Sequence, residues 1–182
     1  SASPTPEPTQ PPSRSLSLTA VGQISIGAEL RKSGTAESGD FYFDPVFDPV
    51  KPALSGADLS IATFRTNLTD DQNAYDTYNA PYELAVGLGR AGVNLINLST
   101  DRVVDFGTPG LAKTLDLLYQ NKLTAQGAYA TAEDRQALPI SEINGIKVGI
   151  VSYTSSISAA GKKAATDAEI QVATRMLGVE SA

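Results

Sequence analysis

The sequence predicts an α/β domain built on a mainly parallel sheet. Apolar runs of strand length alternate with stretches whose apolar residues recur at helical spacing, a pattern typical of right-handed βαβ units. An Asn-Gly pair between two short apolar segments adds one antiparallel hairpin to this prediction. With 182 residues and 41% apolar content, the chain can form a single domain with a sizeable core.

Residues 1–14 are predicted to be a disordered tether, and residues 15–182 the folded domain. The tether contains five prolines among small polar residues, a composition that favours polyproline II and cannot bury a core. Stalks of this kind are common just after the processed N-terminus of exported or lipid-anchored bacterial proteins. We therefore expect an extracytoplasmic protein, tethered to the cell surface upstream of residue 1. The alternative is a frayed terminus of a cytosolic protein.

Three buried strands are predicted in the first half of the domain. The first carries Leu16, Leu18 and Val21 and ends near Gly22. The second and third are the apolar runs at residues 57–64 and 93–98.

Two helices with recognisable ends lie among these strands. Asn79 is predicted to cap the first, which has Pro81 in its first turn and Gly92 at its end. Thr108 is predicted to cap the second, and Pro109 opens it. Its buried stripe consists of Leu111, Leu115 and Leu118.

The last part of the chain departs from this alternation. Asn144 and Gly145 suit a type I′ turn, which predicts a hairpin of residues 140–143 and 146–153. The segment SSISAAGKKAAT is then predicted to be a loop, and residues 167–177 a helix. Because a final helix in an α/β protein usually leads into another strand, we expect the fold to continue past residue 182 or to be completed by a partner.

The composition excludes several classes of function. The chain has no histidine and no cysteine, which removes zinc sites, Cys/His nucleophile pairs and Ser/His/Asp triads. Its net charge is −6 and it has no cluster of basic residues, so binding to nucleic acid is not expected. It also lacks the run of about 20 apolar residues that a transmembrane helix requires.

A long, ordered series of landmarks resembles a known family. The segments are TAVGQISIG, FDPVFDPVKPALSGADLSIATFRTNL, YNAPYELAVGLGRAGVNLINLSTDRVVDFGTPGLAKTLDLL and INGIKVGIVSYT, within residues 17–154. They resemble the N-terminal part of the CapA/PgsA family of bacterial capsule and poly-γ-glutamate synthesis proteins. The resemblance implies an α/β/β/α sandwich like that of calcineurin-like metallophosphoesterases, with its site at the carboxyl ends of the strands.

The polar site residues of that family do not carry over to this chain. Where the family has Gly-Asp after the first strand, this sequence has Gly22 and Gln23. The family has Asn-Leu-Glu after the second strand, and in this sequence Arg65 stands in place of that glutamate. The Asn-Asn-His after the third strand is replaced by three other residues, whereas the Asp of the following Asp-Phe-Gly is retained. These residues are Thr100, Asp101, Arg102 and the retained Asp105.

Taken together, the replacements remove two negative charges and add two positive ones. A divalent cation would be repelled where the family supplies oxygen and nitrogen ligands, so neither a metal nor another cofactor is expected. Two alternatives remain for the six positions. Arg65 and Arg102 pair with Asp101 and Asp105 and fill a dead site, or the two guanidinium groups bind a carboxylate or phosphate.

The resemblance therefore implies a role in capsule or poly-γ-glutamate biogenesis, as a noncatalytic or altered member. An anionic surface polymer or the membrane proteins of capsule synthesis are the implied partners. One alternative is an active metal-dependent hydrolase of the metallophosphoesterase-like superfamily, whose ligands lie elsewhere. Another is a sequence altered deliberately at several site positions.

Overall fold

A four-stranded parallel sheet lies at the centre of the domain. The computed structural model describes residues 13–72, 75–76, 78–129 and 140–164. Its elements in chain order are β1 (Leu18–Ile24), α1 (Ala28–Ser33), α2 (Asp44–Phe47), α3 (Lys51–Ser55), β2 (Leu59–Phe64), β3 (Asn67–Thr69), β4 (Asn79–Pro81), α4 (Glu83–Ala91), β5 (Leu95–Asn97), α5 (Gly107–Gln120), β6 (Thr124–Gln126), β7 (Ile140–Ile143), β8 (Ile146–Gly149) and α6 (Ala159–Ala164).

The sheet has the strand order β1-β2-β5-β6, and each neighbouring pair is parallel. Together with the antiparallel β7–β8 hairpin, this confirms the predicted fold class. The three predicted strands are present, with ends that differ by at most three residues. The strands β3 and β4 pair in parallel and were not predicted, because three-residue strands give too short a hydrophobic pattern to recognise.

The two faces of the sheet are covered by different elements, because side chains alternate along a strand. On one face Ala62, Phe64 and Ile96 are buried in the main hydrophobic core. The helices α4 and α5 contribute Leu84, Leu88, Leu111 and Leu118 to that core. On the other face Leu59 and Leu95 line a small cavity together with Val148 and Ile150. The helices therefore cover one face, and the hairpin approaches the other.

Both predicted helix caps are wrong, although the helices themselves are present. Asn79 lies in β4, opposite Asn67 of β3, so α4 begins only at Glu83. Thr108 lies inside the first turn of α5, which begins one residue earlier, so its side chain cannot cap that helix. The predicted end of α4 is confirmed, since Gly92 adopts a left-handed conformation with φ 107°.

The hairpin turn has the predicted conformation. Asn144 and Gly145 have φ angles of 53° and 72°, as a type I′ turn requires. The second strand is shorter than predicted, because regular pairing ends at Gly149. The loop predicted for SSISAAGKKAAT is wrong in part, since it contains α6, whose first turn is capped by the Ser158 side chain.

Several predictions fall outside the described residues. They include the helix at residues 167–177 and residues 1–12 of the tether. Arg14, at the end of the predicted tether, donates a hydrogen bond of 2.6 Å to the carbonyl oxygen of Gly145 in the hairpin turn. Within the described part of the chain, no helix has the length and apolar character needed to cross a membrane.

Candidate functional site

The carboxyl ends of β2 and β5 bring most of the predicted site residues together. Arg65 directly follows β2, and its backbone N–H donates to the carbonyl oxygen of Ile24 at the end of β1. Residues 101–105 lie in the turns between β5 and α5. Because parallel strands present their carboxyl ends at the same edge of a sheet, these two segments become neighbours.

Four of the six predicted residues form one ion-pair cluster: Arg65, Asp101, Arg102 and Asp105. Arg65 binds Asp101 through two hydrogen bonds, Nε to Oδ1 at 2.8 Å and Nη2 to Oδ2 at 2.9 Å. Arg102 donates from Nη1 to Oδ2 of Asp105 at 3.1 Å, and its Nε lies 3.6 Å from Oδ2 of Asp101. The two guanidinium groups and two carboxylates balance in charge.

A serine from a distant part of the chain completes the cluster. The hydroxyl of Ser158, which precedes α6, donates to Oδ1 of Asp105. All four carboxylate oxygens of Asp101 and Asp105 thus accept a hydrogen bond from within the protein. Because the arginines also compensate their charge, the two carboxylates attract an external cation only weakly.

Tyr78 and Asn67 hold the cluster from the side of β3 and β4. The ring of Tyr78 lies 4.0 Å from the Cζ of Arg102 and 5.4 Å from that of Arg65, which allows cation–π attraction to both. The buried amide of Asn67 donates to the carbonyl oxygens of Arg102 and Tyr78, at 3.0 and 3.3 Å. Asn67 therefore links the backbone segments that carry the arginine and the aromatic ring.

The arginines also determine the ionisation of Asp101. The hydrogen bonds from Arg65 lower the pKa of Asp101, and the charges of Arg65 and Arg102 add to this effect against the opposing influence of burial. The pKa of Arg65 is raised, chiefly by its hydrogen bonds to the same carboxylate. The pair is therefore fully ionised at neutral pH.

Arg102 has one donor that the cluster leaves unused. Its Nε is buried and lacks a hydrogen-bond partner in the described structure. The side chains of Arg65 and Arg102 keep 30% and 24% of their surface exposed, whereas that of Asp105 keeps 4%. Solvent therefore reaches the guanidinium side of the cluster more readily than the Asp105 side.

The other two predicted residues lie outside the ion pairs. Thr100 is buried, and its hydroxyl donates to the carbonyl oxygen of Phe64 at 3.1 Å, so it ties the loop after β5 to the end of β2. Gln23 is exposed near the end of β1, opposite Thr63 in the sheet register. Neither side chain contributes a hydrogen bond to the carboxylates.

The residues present at the strand ends do not fit a divalent metal. A metal would have to displace guanidinium groups from Asp101 and Asp105, and it would be repelled by the two positive charges left beside it. The described residues contain no group of three or more His, Cys, Asp or Glu side chains arranged to hold a metal ion.

Sequence reasoning missed three residues of this site: Asn67, Tyr78 and Ser158. Tyr78 could not be found, because sequence spacing cannot show that a ring lies against arginines from other loops. Ser158 lies 53 residues after Asp105, in a segment predicted to be a loop. Its position before Ala-Ala-Gly was the available signal, since serine is a preferred helix cap.

A pocket of about 830 Å³ lies apart from the cluster, between the end of α5 and β6. Leu115, Tyr119, Leu123 and Tyr129 are among its lining residues. Of the described residues that line it, only Lys122 is charged, and none is a predicted site residue. The pocket therefore lacks the paired charges found at the strand ends.

Comparison with known proteins agrees with the resemblance in the sequence. Residues 17–180 match the family described as "Bacterial capsule synthesis protein PGA_cap". The chain is 24% identical over 151 residues to the "Capsule biosynthesis protein CapA" of Bacillus anthracis. The match covers 79% of this chain and 36% of that relative, so the chain spans about a third of the relative's length. Because the family match extends over most of the sequence, the chain belongs to the bacterial capsule synthesis protein family.

Proposed function

We propose that this chain acts in capsule or poly-γ-glutamate biogenesis as a noncatalytic member of its family, outside the cytoplasm. The observation that carries the proposal is that internal donors engage all four oxygens of Asp101 and Asp105. A carboxylate held in this way is a poor metal ligand and a poor general base, because a reaction would first have to break a charge-assisted hydrogen bond. In this role the domain contributes a folded surface for other capsule-synthesis components, including their membrane proteins.

One observation favours a second function, the binding of an anionic polymer. Arg65 and Arg102 are partly exposed, and the Nε of Arg102 lacks a hydrogen-bond partner in the described structure. A polymer carboxylate could compete with Asp101 for these donors. In this alternative the cluster opens when the polymer binds.

Calorimetric titration with oligoglutamate distinguishes the two functions. If the cluster is internally neutralised, the wild-type protein should give no heat of binding at millimolar ligand. Saturable binding that is lost in Arg102→Ala and retained in Arg90→Ala would support the anion-binding function. Arg90 is a suitable control because it is an exposed arginine in a pair with Asp44 on α2, away from the strand ends. Each variant is first shown to be folded by its circular dichroism spectrum.

The same protein tests the noncatalytic assignment. We expect no hydrolysis of a generic phosphodiester when Mn²⁺ or Zn²⁺ is added. Metal-stimulated hydrolysis that is abolished by Asp101→Asn would instead support the active-hydrolase alternative.

A further inference from the structure

Ser158 connects the ion-pair cluster to the segment that follows the hairpin. Its backbone N–H donates to the carbonyl oxygen of Asp101 at 2.8 Å, and its hydroxyl donates to the carboxylate of Asp105. The same hydroxyl accepts a hydrogen bond of 2.9 Å from the backbone N–H of Gly161, in the first turn of α6. One side chain thus caps α6 and binds the cluster at the same time.

The segment of residues 157–164 is here called the strap, and within the described part of the chain its hydrogen bonds to the rest of the domain come from Ser158. Ile157 and Gly161 are its buried residues, and Lys162 and Lys163 are exposed. Ile157 belongs to the main hydrophobic core, so the strap is attached to the domain by this side chain as well as by Ser158. Release of Ser158 therefore removes the polar attachments of the strap that the structure describes.

The strap lies close to the loop that carries the two aspartates. A Cβ atom added to Gly161 would lie 3.1 Å from a methyl carbon of Val104. Val104 belongs to the loop between Asp101 and Asp105. A Cβ atom added to Gly107, where α5 begins, would lie 3.3 Å from the carbonyl oxygen of Ala164. The strap therefore runs along the loop that carries Asp101 and Asp105, from the cluster to the start of α5.

We propose that the strap is a closing element of the strand-end site and that Ser158 is its latch. When Ser158 releases Asp105, the strap detaches locally and Ile157 leaves the core, while the parallel sheet and the rest of the core remain folded. Detachment removes the hydroxyl that covers one oxygen of Asp105 and so opens the buried side of the cluster. The coupling follows from the contacts of the strap, whether or not the cluster binds a ligand.

Limited trypsin digestion measures strap opening, because Lys162 and Lys163 lie within α6. Proteolysis in the folded state reports the population of the locally open form. Ser158→Ala should increase cleavage after these lysines about tenfold, since it removes a hydrogen bond to a charged group and a helix cap. Ser155→Ala, an exposed change three residues earlier, is the matched control and should leave the cleavage rate unchanged.

Ser158→Asp separates the latch from the cap. Aspartate caps a helix as well as serine does, but its carboxylate would face that of Asp105 and repel it. A latch predicts faster cleavage than in the wild type, whereas a cap alone predicts an unchanged or slower rate. Cleavage after Arg90, inside α4, monitors opening of the core and should not change in either variant. The proposal is overturned if Ser158→Asp is cleaved in the strap no faster than the wild type, or if Ser158→Ala is cleaved there at the same rate as Ser155→Ala. It is also overturned if cleavage after Arg90 increases as much as cleavage in the strap.

Discussion

Two ion pairs in this domain have similar geometry but very different access to water. Lys113 on α5 and Asp70 after β3 approach to 2.8 Å, with 41% and 58% of their side chains exposed. Arg102 and Asp105 at the strand ends lie 3.1 Å apart, with 24% and 4% exposed. The shorter distance belongs to the exposed pair, so distance alone does not indicate which pair matters more for stability.

The difference shows how burial and shared partners give a salt bridge its importance. Water screens the Lys113–Asp70 pair, and either side chain can be hydrated when the other is removed. In the cluster, Asp101 is bound by Arg65 and lies beside Arg102, while Asp105 is bound by Arg102 and Ser158. Removal of one member therefore leaves a buried charge with fewer partners.

The largest effect is expected from Arg102→Ala. This change leaves Asp105 buried with only Ser158 as a partner, and it removes the cation that lies against Tyr78. The free energy of unfolding at pH 7 should fall by about 2 kcal/mol, less than for a fully buried pair because the guanidinium is partly exposed. Urea denaturation measures this loss. A loss no larger than that of Arg90→Ala would show that the cluster behaves as an ordinary surface feature.

An effect of intermediate size is expected from acid. The pKa of Asp101 is lower in the folded protein than in the unfolded chain. This residue therefore stabilises the fold fully at pH values above its pKa in the unfolded chain, which is about 3.9. That stability is lost as the pH falls from about 4 through the lowered folded pKa. Asp101→Asn should be less stable than the wild type at pH 7, and the difference should shrink as the pH falls below 4.

Urea denaturation at a series of pH values measures that convergence. Glu142→Gln, a change of an exposed carboxylate on β7, serves as the control and should follow the wild-type curve. A constant gap between Asp101→Asn and the wild type from pH 7 to pH 2 would contradict the assignment of a lowered pKa.

The smallest effect is expected from Lys113→Ala. Because both members of this pair are well exposed, the urea midpoint should remain within experimental error of the wild-type value. Raising the salt concentration should also fail to distinguish the variant from the wild type. A clear drop in the midpoint would show that exposure is a poor guide to the value of ion pairs in this domain.

Much of the fold could be predicted from local patterns. The strand at residues 59–64 and the αL glycine at Gly92 follow from apolar periodicity and from backbone preferences that act within a few residues. Asn144 and Gly145 specify their turn in the same way. The caps failed because Asn79 is committed to a strand pairing with Asn67, a contact between segments that no local rule anticipates.

The site could be predicted only in part, for a related reason. The positions of Arg65, Asp101, Arg102 and Asp105 follow from the rule that parallel strands present their carboxyl ends together. Which oxygen each guanidinium binds depends on side-chain geometry, and the participation of Ser158 depends on how the chain returns after the hairpin. The sequence therefore allowed two alternatives, and the capping signal at Ser158 did not show that this residue also completes the cluster.

Arg102 and Asp105 should stabilise the fold through each other. A double-mutant cycle with Arg102→Ala, Asp105→Ala and the double variant measures this coupling directly, with the Lys113 and Asp70 cycle as the exposed comparison. We expect a favourable coupling of about 0.5–3 kcal/mol at the strand ends, the range found for contacting groups of one network, and none within error for the exposed pair. Additive losses in the strand-end cycle would contradict the account, because the two side chains would then lie close together without depending on each other.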